Sequence, residues 1–392
     1  MGRRLVQVFA LLGTIVLPGA HLVAQDPAPD VIVSPDHSRL LLMERAPKGA
    51  AEASATTEFR LAGQRFNPRT STEIREVTYS ALVVQPIGRG EIRRLVVPWK
   101  AKVSGAIWSP DGNRIALTMI EDAGTSLWVA DPVTGDIRML VGPVLNAVSG
   151  PPCQWLSSGS ALVCTRLVSN RGPAPAPDSR SLELLQNSQD EALFEHYFSS
   201  QIVLVPLSGG ERPIGSPGIH QDIAVSPNGK FLTVATRHRP YSAQVPVEGF
   251  PLRTEVWDLS DGSVVKLVHD RELVESPPAA PDAVPAGPRS VGWRGDQPAT
   301  LVWVEAQDGG DPSQAAAVRD KIFQLPAPFT GKASVLASLE FRNRGVNWGG
   351  EDLAVVSEGW AKSRTARIWA VNPSKGGAPR LIVERTARDR SV

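Results

Sequence analysis

The stretch from Val103 to Leu140 constrains the fold more than any other part of the sequence, because it contains four short strand-like segments joined by tight turns. The first segment ends at a Ser-Pro-Asp-Gly-Asn turn, in which Pro110 fixes φ and Gly112 can take a positive φ. Two more apolar segments and a Pro-Val-Thr-Gly-Asp turn complete the unit. An isolated meander of this size buries too little surface to fold alone, so the pattern predicts further copies of it.

The rest of the sequence supplies those copies. The Ser-Pro-Asp turn recurs at Ser34 and, as Ser-Pro-Asn, at Ser226, and a tryptophan precedes the turn in several units. The units repeat at roughly 40 to 55 residues, near the period of a four-stranded propeller blade. This repetition predicts an all-β fold, a β-propeller of about six four-stranded blades between Asp30 and Glu384, with an irregular first blade.

Two segments depart from the repeat. Residues 181–199 carry apolar side chains at helical spacing and few turn signals, which predicts a short helical insertion there. In the first unit, the first half of residues 61–97 is basic and irregular, whereas the second half alternates like a strand.

The N-terminus has the pattern of a targeting segment. Arg3 and Arg4 precede an apolar run that ends near a cleavage site after Ala24. The run is shorter than the ~20 residues that a membrane-spanning helix needs, and a Pro-Gly pair interrupts it. We therefore expect a signal peptide over 1–24 and a propeller domain over 25–392. The mature protein would be periplasmic or secreted, with no membrane attachment after cleavage.

Charge and motifs exclude several classes of function. The chain has 41 basic and 40 acidic residues, a formal charge of +1, which gives no electrostatic basis for binding nucleic acid. Its six histidines are scattered singly, and no metal-binding, phosphate-binding or dinucleotide-binding motif is present. We therefore predict no catalytic residue, no cofactor and no metal site. The acidic Gly-Gly segment between Asp308 and Asp311 is interpreted as a turn instead of a calcium loop.

The nucleophile motif of α/β-hydrolases, Gly-x-Ser-x-Gly, is also missing. The nearest approach is Gly124-Thr125-Ser126, which lies in a predicted hairpin. We interpret Ser126 as a turn residue and not as a nucleophile.

The two cysteines flank a predicted hairpin. If its turn is centred on Ser158 and Gly159, Cys153 lies directly opposite Cys164. An exported protein folds in an oxidising compartment, which favours a disulfide between them. The alternative is a pair of buried free thiols that pack as small apolar residues.

Basic residues occur in pairs in the predicted loops: Arg237 with Arg239, Arg319 with Lys321, and Arg342 with Arg344. One interpretation is recognition of an acidic group by arginine forks. The other, which we favour from sequence, is a solvated rim balanced by nearby acidic residues.

Several segments together resemble a known family. They include IWSPDGNRIALTMIEDAGTSLWVAD, CQWLSSGSALVC, LFEHYFSSQIVLVPL, VPVEGFPLRTEVWD and, as the most specific, PRSVGWRGDQPATLVWVEAQDGGDP. They resemble the N-terminal β-propeller of the prolyl oligopeptidase family of serine peptidases, and the closest branch is that of the glutamyl endopeptidases. The resemblance covers nearly all of the expected mature chain.

The resemblance implies a function without supplying catalytic residues. Family members carry Ser, Asp and His on an α/β-hydrolase domain that follows the propeller, and the propeller controls substrate access. No position here matches those motifs, so we expect a truncated propeller without the hydrolase domain and without the last one or two blades. It would gate peptide substrates for an exported peptidase, be inactive alone, and have a separate hydrolase domain as partner. The alternative is a stand-alone exported propeller that serves as a protein-interaction scaffold.

Overall fold

The computed structural model of the chain describes residues 28–46, 58–74, 77–98, 100–168, 183–276, 280–375 and 378–386. The predicted signal peptide over 1–24 lies outside them. Within the described residues the secondary structure is almost entirely β, with one α-helix and one short 3-10 helix.

The strands form six consecutive four-stranded antiparallel blades. Blade 1 and its insertion comprise β1 (Asp30–Val33), β2 (Arg39–Arg45), the inserted β3 (Phe59–Leu61), β4 (Gln64–Asn67) and β5 (Thr72–Glu73), then β6 (Tyr79–Pro86) and β7 (Arg93–Leu95). Blade 2 comprises β8 (Lys102–Trp108), β9 (Ile115–Glu121), β10 (Gly124–Ala130) and β11 (Ile137–Val141).

Blades 3 and 4 share one long strand. Blade 3 comprises β12 (Cys153–Trp155), β13 (Ala161–Leu167), β14 (Ser200–Pro206) and the first half of β15 (Arg212–Val225), with helix α1 (Ser188–Phe198) inserted between β13 and β14. Blade 4 comprises the second half of β15, β16 (Phe231–Arg237), a 3-10 helix (Val247–Gly249), β17 (Leu252–Asp258) and β18 (Val264–Arg271).

The last two blades are separate four-stranded sheets. Blade 5 comprises β19 (Arg289–Trp293), β20 (Thr300–Ala306), β21 (Asp320–Pro326) and β22 (Ser334–Leu339). Blade 6 comprises β23 (Arg342–Gly350), β24 (Leu353–Trp360), β25 (Thr365–Val371) and β26 (Arg380–Thr386). The prediction of an all-β fold with about six four-stranded blades is confirmed.

The recurring Ser-Pro-Asp turn sets the hairpin between the first two strands of a blade. The hydroxyl of Ser109 donates to Asp111 at 2.5 Å and accepts the amide of Arg114 at 2.9 Å. The same pair of bonds recurs at Ser34 and, with asparagine as the acceptor, at Ser226. Because the side chains satisfy the turn's polar groups locally, this short motif is enough to fix the strand register.

Tryptophan side chains join consecutive blades. The indole N–H groups donate to carbonyl oxygens of the preceding blade: Trp108 to Ile32 at 3.3 Å, Trp155 to Ile107 at 3.1 Å, and Trp293 to Ala224 at 3.0 Å. Each indole is buried, so one residue supplies both apolar area and a hydrogen bond to the interface. A separate apolar cluster fills each of the five interfaces between consecutive blades.

The outer face of blade 1 has the apolar pattern of an interface but stays exposed. Val31 and Val33 are 44% and 36% exposed, whereas the equivalent Ala106 and Trp108 of blade 2 are 7% and 6% exposed. The difference arises because blade 1 covers the latter pair. Among the described residues, no apolar cluster joins blade 6 to this face.

One predicted boundary is corrected. The helix begins at Ser188 and not near 181, because the side chain of Asn187 caps it by accepting the amides of Gln189 and Asp190. Residues 181 and 182 lie outside the described residues, and residues 183–187 are not helical.

The irregular first half of residues 61–97 contributes β4 and β5 to the three-stranded sheet β3–β4–β5. Its first hairpin turns at Ala62 and Gly63, both with positive φ. In the part of the chain that the structure covers, no helix is long and apolar enough to cross a membrane.

Candidate functional site

Three insertions gather at one end of the propeller. Each follows the second strand of its blade: the sheet β3–β5 in blade 1, helix α1 in blade 3, and residues 238–251 in blade 4. In an antiparallel meander these connections lie at the end opposite the Ser-Pro-Asp turns. We call the three insertions together the cap.

The cap has its own apolar core, separate from the blade interfaces. Aromatic rings dominate it: the ring centres of Phe66 and Phe198 lie 5.3 Å apart, and those of Phe194 and Phe250 lie 5.6 Å apart. Phe66, Phe194 and Phe250 are fully buried. Aromatic pairs add about 0.5–1.5 kcal/mol each beyond the area they bury, so the cap is an ordered layer.

The cap bridges blades that are not neighbours. The amide of Val247 in blade 4 donates to the carbonyl oxygen of Ala62 in blade 1 at 2.9 Å. Beside this bond, the side-chain amide of Gln64 donates to Glu248 at 2.9 Å. Blades 1 and 4 are three positions apart along the ring, so these contacts extend across the centre of this end of the propeller.

Polar contacts tie the blade 4 loop to the helix of blade 3. Arg239 forms ion pairs with Glu191 and with Glu195, the latter at 2.8 Å. The hydroxyl of Tyr241 also donates to Glu195, at 3.1 Å. The side-chain amide of Asn146 in turn donates to the carbonyl oxygen at the end of the helix, at 2.9 Å to Ser199. The helix is therefore held from both sides.

A buried ion network lies at the same end in blades 5 and 6. The fully buried Arg342 contacts Asp320 at 3.0 Å and Asp308 at 2.8 Å, and Arg319 contacts Asp308 at 2.8 Å. The guanidinium of Arg319 stacks 4.1 Å from the ring centre of Trp360. Burial would raise the pKa of Asp308, but the hydrogen bonds from Arg342 and Arg319 outweigh burial and lower it.

The acidic Gly-Gly segment belongs to this network. Gly310 has φ +85°, and a Cβ at this position would lie 2.0 Å from the carbonyl oxygen of Val284. Asp308 faces arginines, and Asp311 accepts the amide of Ser313 at 2.8 Å. The segment is a tight turn packed on the link between blades, as its interpretation from sequence proposed.

Four of the paired arginines have acidic partners, although Arg342 and Arg344 lie in strand β23 and not in a loop. Arg239, Arg319, Arg342 and Arg344 each form an ion pair with a carboxylate. The favoured interpretation was right about the balance of charge and about the solvation of Arg239 and Arg344, but it was wrong about Arg342, which is fully buried. Burial of a paired charge inside a blade interface is a tertiary effect that loop composition does not reveal.

Arg237 is the exception among these arginines. Its Nη1 donates to the backbone carbonyl oxygen of Phe250 at 2.7 Å, and no carboxylate among the described residues pairs with it. Lys321 lies in strand β21 and is not a loop residue.

The structure joins the two cysteines. Cys153 in β12 pairs in register with Cys164 in β13, and a disulfide connects them with a Cα–Cα distance of 4.1 Å. The bond crosslinks the first hairpin of blade 3, in the register that the sequence predicts for a turn at Ser158 and Gly159.

Ser126 is a buried strand residue and not a turn residue. It lies inside β10, where its hydroxyl donates to Glu121 at 2.6 Å and accepts the indole N–H of Trp128 at 2.9 Å. The turn precedes the strand, so the sequence interpretation placed it too late. The hydroxyl is engaged on both sides and has no histidine partner among these bonds.

Two histidines of the described residues, His238 and His220, contact side chains of neighbouring strands. His238 contacts Asp270 through Nε2 at 2.8 Å and the carbonyl oxygen of Arg239 through Nδ1 at 2.7 Å. His220 is buried, and burial lowers its pKa to about 4. Within the described ranges, no group of three or more His, Cys, Asp or Glu side chains could hold a metal ion.

Two curated proteins are similar to this chain over almost its whole length. Both are named probable glutamyl endopeptidase, chloroplastic; the one from Oryza sativa subsp. japonica is 32% identical and the one from Arabidopsis thaliana is 33% identical, each over 403 residues. The match covers 94% of this chain but only 43% and 42% of the relatives. The chain thus spans less than half the length of the curated relatives it matches. No protein-family model matches the sequence.

Solved structures similar to this chain include peptidases of low sequence identity. A structure from a study of two prolyl endopeptidases is 12% identical with a TM-score of 0.48, covering 84% of this chain and 43% of that chain. The tricorn protease is 9% identical with a TM-score of 0.48, covering 92% of this chain and 32% of that chain. The comparison that bears on the family is with the curated relatives, whose match covers 94% of this chain. It confirms the resemblance seen in the sequence to the propeller of the prolyl oligopeptidase family and to its glutamyl endopeptidases.

Proposed function

We propose that the chain is the substrate-gating propeller of a glutamyl endopeptidase-like serine peptidase, in which a separate hydrolase domain performs catalysis on peptides. The observation that carries this proposal is the 32–33% identity across 94% of the chain to proteins that are named for this activity and are more than twice as long. Similarity of this extent includes the loops as well as the repeats, so it reflects more than a shared fold.

The cap supports a gating role. It contacts blade 1 and blade 4 at once, through the bond between Val247 and Ala62 and the bond between Gln64 and Glu248. A peptide that passes through this end must displace the cap or move around it. A size filter follows, because a large folded substrate cannot enter while these contacts persist.

Among the described residues, two histidine contacts come nearest to a catalytic pair. The hydroxyl of Thr236 lies 3.1 Å from Nδ1 of His220, but this histidine is buried and burial lowers its pKa to about 4. His238 lies beside Asp270, but the other ring nitrogen of His238 already contacts the carbonyl oxygen of Arg239. A catalytic histidine needs that second nitrogen for the nucleophile. We therefore assign the chemistry to a partner domain.

An activity assay tests the proposal directly. The purified chain, incubated with a fluorogenic peptide containing glutamate, should show no turnover above background. The protein isolated with its native partners should cleave the same peptide and lose activity with a serine-directed inhibitor. Inhibitor-sensitive turnover by the purified chain alone would contradict the proposal, and so would the absence of a co-purifying hydrolase with a Gly-x-Ser-x-Gly motif.

A crosslink tests the gate. In the Gln64→Cys, Glu248→Cys double variant, a short bifunctional thiol crosslinker can join two positions whose side chains are now in hydrogen-bond contact. Crosslinking in the assembled peptidase should slow cleavage of a long peptide much more than cleavage of a dipeptide substrate. The single Gln64→Cys variant is the matched control, and equal slowing of both substrates would argue against gating at the cap.

We also propose that the chain is exported, to the periplasm or outside the cell. The basic and apolar pattern at residues 1–24 supports export, and the Cys153–Cys164 disulfide suits an oxidising compartment. N-terminal sequencing of the mature protein from fractionated cells should begin at Gln25. Recovery of the full chain with two free thiols from the cytoplasm would refute export.

A further inference from the structure

Two arginines at the capped end lie side by side. Arg237 ends β16 and Arg271 ends β18, and both pair in register with Leu252 on the strand between them. Cross-strand partners point to the same face of a sheet, so both side chains project the same way. Their guanidinium groups share one acceptor, the carbonyl oxygen of Phe250, at 2.7 Å from Arg237 and 3.1 Å from Arg271.

Neither guanidinium has an acidic partner among the described residues. Besides Phe250, both donate only to the backbone oxygen of Glu248, with Arg271 at 2.6 Å. The Nε atoms of both arginines are buried and have no hydrogen-bond partner. The nearby carboxylate of Glu248 instead accepts Gln64. The other arginine of this loop, Arg239, has two carboxylate partners.

This arrangement leaves the positive charge only partly compensated. Arg237 is 8% exposed, and burial together with the charge of Arg271 lowers its pKa to about 10, against the opposing effect of the nearby Glu248 carboxylate. Burial also lowers the pKa of Arg271. Both stay protonated at neutral pH, and two carbonyl oxygens supply only partial negative charge. A bound anion would offset the cost of burying two like charges together.

We propose that Arg237 and Arg271 form a binding site for the carboxylate of an acidic peptide side chain. Arg271 is only partly buried, and its Nη1 makes neither of the bonds to Glu248 and Phe250, so Nη1 offers N–H donors to an incoming ligand while Arg237 supplies charge behind it. A hydrogen bond from a charged donor is stronger to a carboxylate than to a neutral amide, so the site would discriminate against glutamine. The identification of a peptide as the ligand rests on the proposed function, but the site is a property of this chain alone.

Binding to the purified chain tests the site without any hydrolase. Titration calorimetry would compare a blocked peptide containing one glutamate with the same peptide containing glutamine. We expect the glutamate peptide to bind at least about tenfold more tightly, as a charge-assisted hydrogen bond predicts. The Arg271→Gln variant should lose this preference, and Arg271→Lys should retain part of it. The matched control is Arg239→Gln, which removes a nearby cation that already has carboxylate partners, and it should keep the preference.

The site and the proposed function can fail separately. Equal affinity for the two peptides, or a preference that survives in Arg271→Gln, would overturn the site even if the assembled peptidase is active. Binding of inorganic phosphate without any binding of the peptides would also overturn it, since a free anion would then be the ligand. If Arg271→Gln does not fold, as judged by its thermal transition, the site is still tested by two measurements: the affinities of wild type for the glutamate and glutamine peptides, and the same affinities in Arg271→Lys.

Discussion

The backbone amide of Val247 donates to the carbonyl oxygen of Ala62 at 2.9 Å, and this bond joins the loop of blade 4 to the insertion of blade 1. The two residues belong to blades on different sides of the ring. Both residues belong to the apolar cluster to which helix α1 contributes Phe194, Tyr197 and Phe198. We therefore expect the cap to unfold as a cooperative unit.

Removing a cap aromatic should loosen this unit selectively. Phe66→Ala deletes a fully buried ring that contacts Tyr197 and Phe198, at a cost of about 3–5 kcal/mol by the usual large-to-small scale. We expect faster proteolysis within residues 238–251. The matched control is Phe329→Ala, a buried ring between blades 4 and 5. Equal protease sensitivity of the cap in both variants would show that the cap is not a separate unit.

The ion network of blades 5 and 6 should be sensitive to loss of its central cation. Arg342→Met leaves the buried Asp308 and Asp320 partly uncompensated, with an expected loss of about 3–5 kcal/mol in the free energy of unfolding. Arg114→Met removes the more exposed pair with Asp131 and should cost at most about 1 kcal/mol. Urea denaturation measures both, and a small effect at Arg342 would contradict its central role, since Arg319 and Arg289 would then suffice to compensate the two carboxylates.

The free energy of unfolding should decrease as the pH is lowered, because the buried His220 titrates. Burial lowers its pKa to about 4 in the folded state, so the unfolded chain binds a proton more readily. This histidine's contribution is complete above its unfolded pKa and is lost as pH falls toward 4, by about 3 kcal/mol in total. Thermal unfolding of wild type and His220→Gln between pH 7 and 4.5 should show a shallower dependence in the variant. Parallel curves would assign the pH dependence to other groups.

Breaking the disulfide should destabilise blade 3. It closes a loop between residues 11 apart in sequence, for which loop entropy predicts about 2–3 kcal/mol of stabilisation. The Cys153→Ser, Cys164→Ser variant should lose that amount and become insensitive to a reducing agent. Wild type should show no free thiols by Ellman titration until it is reduced, and two free thiols at the outset would contradict the bond.

The repeat could be predicted from the sequence because its signals are local. Ser109, Asp111 and Gly112 form a turn within a few residues, and the same hydrogen bonds recur wherever the motif recurs. The opposed cysteines follow from a turn in the same way. Register, blade number and fold class therefore depend on short-range chemistry that the chain displays directly.

The formation of the cap and the partners of its arginines depend on the tertiary structure and could not be predicted from the sequence. Phe66 and Phe250 join one apolar cluster although all of blades 2 and 3 separate them in sequence. Arg237 and Arg239 are two residues apart, yet one ends a strand beneath the cap and the other meets Glu195 on the helix. The sequence shows that a charged residue is present, but the fold determines which segment supplies its partner. Burial then determines the free-energy cost of removing that charge from water.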